Sequence, residues 1–246
     1  MDSLIPWIGG KKLLRDKIIE RFPHKFDRYI EVFGGAAWVL FRKEKHAAME
    51  VYNDVDGDLV NLFRCVKYHP DEMQKELDLV LNAREEFVDM KAQDGLTDIQ
   101  RAARFFVIVK CSYGADRGSF SCAPKSLASA RERIADIHAR LARVVIEHKD
   151  FEALIKTYDR PEALFYCDPP YFKTEKYYSA EFTADDHTRL KTVLSHIKGK
   201  FILSYNDDPF VRSLYAEYKI EELQRSHSLR TRYDGCSFRE LIITNF

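Results

Sequence analysis

The chain has little cysteine, and none of it falls in a CxxC motif. Cys65, Cys111, Cys122, Cys167 and Cys236 make an odd total among 246 residues, which fits neither a disulfide framework nor a zinc site. A reducing compartment and no metal are expected. Net charge is lacking as well: 39 basic and 39 acidic side chains cancel, so the global balance makes no electrostatic case for a polyanionic partner. No run approaches the roughly 18 apolar residues of a membrane span. The opening Met1-Asp2-Ser3-Leu4-Ile5-Pro6-Trp7 has no basic flank followed by an apolar stretch, and a cytoplasmic protein is expected. The GxGxxG spacing of dinucleotide folds is also missing, which disfavours NAD and FAD.

What is present describes a foldable chain. Hydrophobic residues make up 46% and charged residues 32%, inside the globular range. The length allows one full α/β domain with a modest insertion. Short apolar runs rich in Val, Ile, Phe or Tyr alternate with helical patterns, which predicts a sheet wrapped by helices on both faces. Seven strands are predicted, at residues 28–33, 48–53, 144–148, 163–167, 200–205, 218–223 and 241–244. Residues 56–143 contain no strand pattern and exceed what a crossover helix needs. They are predicted to be an inserted, mostly helical subdomain, with 1–55 and 144–246 forming the main domain. Inside the insertion, residues 111–124 break the helical pattern with Gly114, Gly118 and Pro124, which reads as an exposed loop or hairpin. Basic residues gather between Arg101 and Arg143 and again at Arg225, Arg230, Arg232 and Arg239. That distribution fits either a cationic face or ordinary solvated helix faces.

Two segments carry chemistry. Tyr29-Ile30-Glu31-Val32-Phe33-Gly34-Gly35 is a strand ending in paired glycines, and the next strand ends at Asn53-Asp54, about twenty residues after the glycines. In an open parallel sheet ligands bind outside the carboxyl ends of strands, where glycine admits close approach to the backbone and an acidic group suits ribose hydroxyls. A nucleoside cofactor is one reading; a tight turn followed by a helix cap is the other. The second segment is an apolar strand followed by Asp168-Pro169-Pro170-Tyr171. Each proline fixes its own φ, removes an N–H and restricts the residue before it, so the chain leaves the strand stiff and rich in acceptors. Carboxylate and carbonyl acceptors beside an aromatic ring suit a planar amine, whose delocalised lone pair becomes nucleophilic when both of its hydrogens are held. Tyr171 would stack on a base drawn out of its duplex. For an isolated Pro-Pro pair, a rigid surface turn explains as much.

Six segments in order, Pro6-Trp7-Ile8-Gly9-Gly10-Lys11, Glu31 to Ala36, Asn53-Asp54, Asp168 to Tyr171, Leu203 to Asp207 and Glu240 to Asn245, make the chain resemble the Dam-type DNA adenine-N6 methyltransferases from end to end. The resemblance implies a Rossmann-like seven-stranded methyltransferase sheet with an inserted helical DNA-recognition subdomain, and transfer of a methyl group from S-adenosylmethionine to N6 of a flipped adenine. It implies that Asp168, Pro169, Pro170 and Tyr171 form the catalytic motif. Trp7, Gly9, Gly10, Lys11, Glu31, Phe33, Gly34, Gly35 and Asp54 would hold the cofactor, with Asp150 and Phe151 at its adenine. Bland readings stand beside these: Trp7 as a core seal, Lys11 as a helix charge, Asp150 as a helix cap, and Tyr177, Tyr178 and Phe182 as a lid or as packing. Candidate DNA contacts are Lys110, Tyr113, Arg117, Arg230 and Arg232, with Arg117 the candidate for reading a base and the last two for the phosphate backbone. The 111–124 stretch departs from the pattern of GATC readers, so the target sequence stays open. Double-stranded DNA is the expected partner of a monomer, with or without a cognate restriction endonuclease. Rival readings are methylation of cytosine at N4, which more often places serine before Pro-Pro-Tyr, and a catalytically silent DNA- or cofactor-binding module. Methylation at cytosine C5 lacks its Pro-Cys pair.

Overall fold

The computed structural model describes residues 1–121, 127, 131–173, 182–225 and 238–246. One seven-stranded sheet organises them, with spatial order β3-β2-β1-β4-β5-β7-β6. The strands are β1 (Arg28–Glu31), β2 (Met49–Asn53), β3 (Val144–Glu147), β4 (Ala163–Cys167), β5 (Lys200–Asn206), β6 (Lys219–Arg225) and β7 (Phe238–Thr244). The first five run parallel, and β7 inserts antiparallel between β5 and β6. All seven predicted strands form. β1 ends two residues early because the chain turns at Gly34-Gly35, and β7 starts three residues sooner than its apolar run, where it pairs with β6.

Strand parity divides the core in two, because successive side chains point to opposite faces. Ile30, Val32, Phe165, Cys167, Phe201, Leu203, Tyr205, Leu241 and Ile243 lie in one buried cluster. Helices α7 (Phe151–Tyr158), α8 (Ala184–Leu194) and α9 (Pro209–Leu214) pack on it. Tyr29, Tyr52, Val144, Leu164, Tyr166, Ile202 and Ile242 face the other way. That second face is covered by α1 (Arg15–Ile19) and by helices from the long connection between β2 and β3: α2 (Gly57–Tyr68), α3 (Pro70–Asp78), α4 (Arg84–Ala92), α5 (Asp98–Cys111) and α6 (Ile134–Leu141).

Local sequence explains where these helices begin. The Asp56 carboxylate caps α2 by accepting from Asp58 and Leu59 N–H, Pro70 opens α3, and Thr97 with Gln100 forms a capping box on α5. The connection does not make a core of its own: Phe63, Phe106 and Ile137 are buried in the same cluster as Tyr52 and Tyr166. α6 is fastened to β2 by a buried ion pair. Arg140 donates to both oxygens of Glu50 at 2.8 Å and to the carbonyls of Lys43 and Leu40. No helix among the described residues is long and apolar enough to cross a membrane.

Candidate active site

A cleft opens at the carboxyl ends of β1, β2 and β4, where an open parallel sheet has its crevice. Its walls combine aromatic side chains (Trp7, Phe33, Trp38, Phe182) with the carboxylates of Glu31, Asp54 and Asp168. Gly9, Gly10, Lys11, Gly34, Gly35 and Pro170 also line it. Thirteen residues singled out in the sequence, Phe182 and Arg117 among them, therefore meet in one place. Pro169, Tyr171, Asp150 and Phe151 are not among its lining residues.

The glycine turn is built differently from expectation. A Cβ on Gly34 would stand 2.2 Å from the ring of Tyr52, which is fully buried beneath it. Gly34 is therefore required by the protein's own packing before any ligand arrives. Gly35 has φ of +50°, a left-handed conformation that L-residues with a Cβ adopt at a cost. The turn is then fixed from β2: the Gly35 N–H donates to Asp54 at 2.8 Å, and the Tyr52 hydroxyl donates to the Gly35 carbonyl at 2.8 Å. Asp54 also accepts from the Asp56 N–H on its other oxygen. Backbone N–H groups of Gly35, Val55 and Asp56 thus hold the carboxylate, and its two oxygens retain acceptor capacity for a further donor. Asn53 ties the ends of three strands together, donating to the carbonyls of Val32 and Lys149 and accepting from the Lys149 N–H.

At the centre, Lys11 Nζ stands 2.8 Å from Asp168 Oδ1 and 3.5 Å from Glu240 Oε1. It donates to the Gly9 carbonyl at 2.8 Å and lies 4.7 Å over the Tyr171 ring. Ser204 donates to the same Asp168 Oδ1 at 2.8 Å. Both of these donors to Asp168 thus use one oxygen. Glu31, Tyr166, Ser204 and Glu240 share a face of the sheet by strand parity, which is why residues from four strands converge here. Burial raises the Asp168 carboxyl above its usual range and Glu240 adds to the rise, while the Lys11 ammonium pulls it back. The Tyr171 hydroxyl donates to Glu240, and burial keeps it protonated well above the ordinary tyrosine range.

Glu31 sits deepest. Burial pushes its carboxyl up to about 8, against the hydrogen bond donated by Tyr29, and burial pushes Asp54 up to about 6. A carboxyl whose folded value exceeds its unfolded one leaves the folded state holding the extra proton between the two, so its stabilising effect fades as pH rises. For Glu31 that window runs from about 4.5 to about 8. The Glu31→Gln variant is accordingly expected to melt higher than wild type at pH 8, by about 3 °C or more, with little difference at pH 5. Thermal unfolding at the two pH values checks this, and an equal offset at both contradicts it.

Two of the expected site residues are engaged by partners within the protein. Arg117 was the candidate base reader, yet its guanidinium is 3.1 Å from Asp56 and 5.3 Å over the Trp7 ring. A short antiparallel bridge, Ser112 to Phe120, folds this loop against the cleft, and its backbone at Arg117 has φ of +58°. Asp150 caps α7 and is gripped through both oxygens by Arg189, which also covers the Phe151 ring at 4.0 Å. Phe151 packs behind Phe33, 5.7 Å between ring centroids. Tyr113 is exposed, and Lys110 is half-buried on α5. Arg230, Arg232, Tyr177 and Tyr178 lie outside the described residues. Sequence reasoning missed Trp38 and Asp56, and it gave Ser204 and Glu240 a motif but no role. The two-residue parity linking Ile202 to Ser204 and Ile242 to Glu240 was the available signal for the last two.

A family model described as D12 class N6 adenine-specific DNA methyltransferase matches residues 7–229. The chain is 24% identical to a type II methyltransferase of Lactococcus lactis subsp. cremoris over 98% of this chain and 94% of that protein. It is 22% identical to a type II methyltransferase of Paramecium bursaria Chlorella virus NC1A over 100% of both. Identity to a DNA adenine methylase of Haemophilus influenzae is 24%, over 91% of this chain and 87% of that one.

Proposed function

Because the chain belongs to the D12 class N6 adenine-specific DNA methyltransferases, we propose that its cleft binds S-adenosylmethionine and offers Asp168 to the exocyclic amine of an adenine flipped out of duplex DNA. The observation that carries this reading is the Asp168 carboxylate, desolvated at the end of β4 and held through one oxygen by Lys11 and Ser204.

The residues of the cleft fit the cofactor. It has a cationic amino-acid end, a ribose with two hydroxyls and a planar base. The cleft has a deep carboxyl group in Glu31, a second carboxylate with spare lone pairs in Asp54, and aromatic walls. Glu31 would take the amino-acid end and Asp54 the ribose, with Trp7, Phe33 and Phe182 against the flat surfaces. When bound, S-adenosylmethionine supplies a methyl group activated by its sulfonium charge.

The protein's own part is to make a weak nucleophile attack. Lys11 favours the ionised form of Asp168 despite burial, and its use of Oδ1 directs the remaining acceptor toward the base. Asp168 and a carbonyl of the stiff Pro169-Pro170 backbone then accept the two amine hydrogens. That arrangement favours a pyramidal nitrogen and stabilises positive charge as its lone pair is donated. Tyr171 supports the base edge-on or by stacking. The helices and loop over the second face of the sheet, with exposed Tyr113 at the loop's start, read the duplex, while Arg117 serves the cofactor cleft through Asp56 and Trp7. The enzyme acts as a monomer and needs no cognate endonuclease.

Sequencing DNA from a methylation-deficient bacterial host that expresses the chain tests this reading. N6-methyladenine confined to a recurring short sequence is expected. Modified cytosine, or unmodified DNA despite soluble protein, would overturn it.

A further inference from the structure

We propose that Glu240 is a positioning residue for base methylation, holding the Tyr171 ring and the Lys11 ammonium in register around Asp168. The inference rests on reading the cleft as an amine-methylating site. Glu240 lies on β7, the strand that runs against the rest of the sheet, and is only 3% exposed. A buried carboxylate is costly unless it is paired and hydrogen-bonded. Its two described partners both belong to the site: Oε1 accepts from the Tyr171 hydroxyl and stands 3.5 Å from Lys11 Nζ.

The geometry closes on itself. Lys11 contacts Asp168, overlies the Tyr171 ring and approaches Glu240, while the Tyr171 hydroxyl returns to the same Glu240 oxygen. The prolines fix where the backbone carries Tyr171, but they leave the tilt of its ring undetermined. A phenol donating to a carboxylate makes a strong, charge-assisted bond, and that bond sets the tilt. Tyr205 supports it from the neighbouring strand, 5.9 Å between ring centroids. Small misplacements of a substrate-positioning group are enough to cost about a hundredfold in rate.

The full chain carrying Tyr171→Phe, Glu240→Ala, both together, or Glu240→Gln is compared with wild type for kcat, KM for DNA, cofactor dissociation constant and Tm. Tyr171→Phe and Glu240→Ala are each expected to lower kcat about 10- to 100-fold. The double variant is expected to be no slower than the worse single one, the signature of coupled residues. Cofactor affinity should stay within about threefold, and Glu240→Gln, which still offers the phenol an acceptor, should recover part of the rate. Additive losses, wild-type kcat in Glu240→Ala, or a rate loss that parallels weakened cofactor binding would overturn the proposal. A second readout is independent of turnover. In protein labelled with 3-fluorotyrosine, the Tyr171 fluorine resonance, assigned with Tyr171→Phe, is expected to shift in Glu240→Ala; an unmoved resonance also overturns the proposal. A wild-type chain that methylates no adenine counts against the reading of the site, while the resonance still decides whether Glu240 holds the ring.

Discussion

With asparagine in place of Asp168, methyl transfer is expected to slow by about 100- to 1,000-fold while the protein stays folded and binds its cofactor. The size follows from what is removed. Deleting one preorganised group that faces charge developing in the transition state commonly costs that much, and in the proposed function Asp168 faces the amine as its nitrogen becomes positive. Asparagine preserves the shape and one acceptor, so the loss isolates the charge. Stability should change little, because the buried carboxylate is itself costly, burial raising its ionisation range against Lys11 and Ser204, and Lys11 keeps Glu240 as a counter-charge at 3.5 Å. The effect should fall on kcat rather than on KM, since an interaction made in the transition state changes both kcat and kcat/KM. Measuring kcat, KM and cofactor affinity side by side separates this outcome from a simple binding defect.

The second large effect lies outside the cleft. Arg140→Met is expected to destabilise the protein by about 3 to 5 kcal/mol, because it leaves Glu50 buried without its cation. For a chain of this size that lowers Tm by about 6 to 20 °C. Both Glu50 oxygens lose an Arg140 donor, and the carbonyls of Lys43 and Leu40 lose theirs. Glu50 would keep only the His46 N–H among the bonds described here. The pairing also explains a way back: Arg140→Met combined with Glu50→Met removes the orphaned charge and should recover much of the loss, as replacing a buried pair with apolar side chains often does. Thermal and urea unfolding of the two variants check the order. The pair matters for function because it fastens α6 to β2, the strand that delivers Asp54 to the cleft.

The strands could be read from the sequence because each is a short apolar run ending in residues that stop a strand, as Ala163–Cys167 does before Asp168-Pro169. The cleft could be read for a related reason: Gly34-Gly35, Asp54 and Asp168 all follow strands, and the ends of parallel strands meet in space. What the sequence hid was set by contacts across long separations. The use of Arg117 depends on Asp56 and Trp7, each far away along the chain, and its loop folds inward only because Ser112 pairs with Phe120. Asp150 is legible as a helix cap from its neighbours, but its grip by Arg189 comes from α8. Gly34 looked like an opening for a ligand because the ring beneath it, Tyr52, belongs to another strand. Sequence order also does not show that Phe63 and Phe106 of the long helical connection pack into the same core as Tyr166.

The central claim is that this cleft transfers a methyl group to adenine N6 through Asp168. Its most direct test incubates purified wild-type and Asp168→Asn protein with methyl-labelled S-adenosylmethionine and mixed-sequence duplex DNA, then digests the DNA to nucleosides. The account predicts label only in N6-methyldeoxyadenosine, formed about 100- to 1,000-fold more slowly by the variant. Label in N4-methyldeoxycytidine, or equal rates from the two proteins, would contradict it.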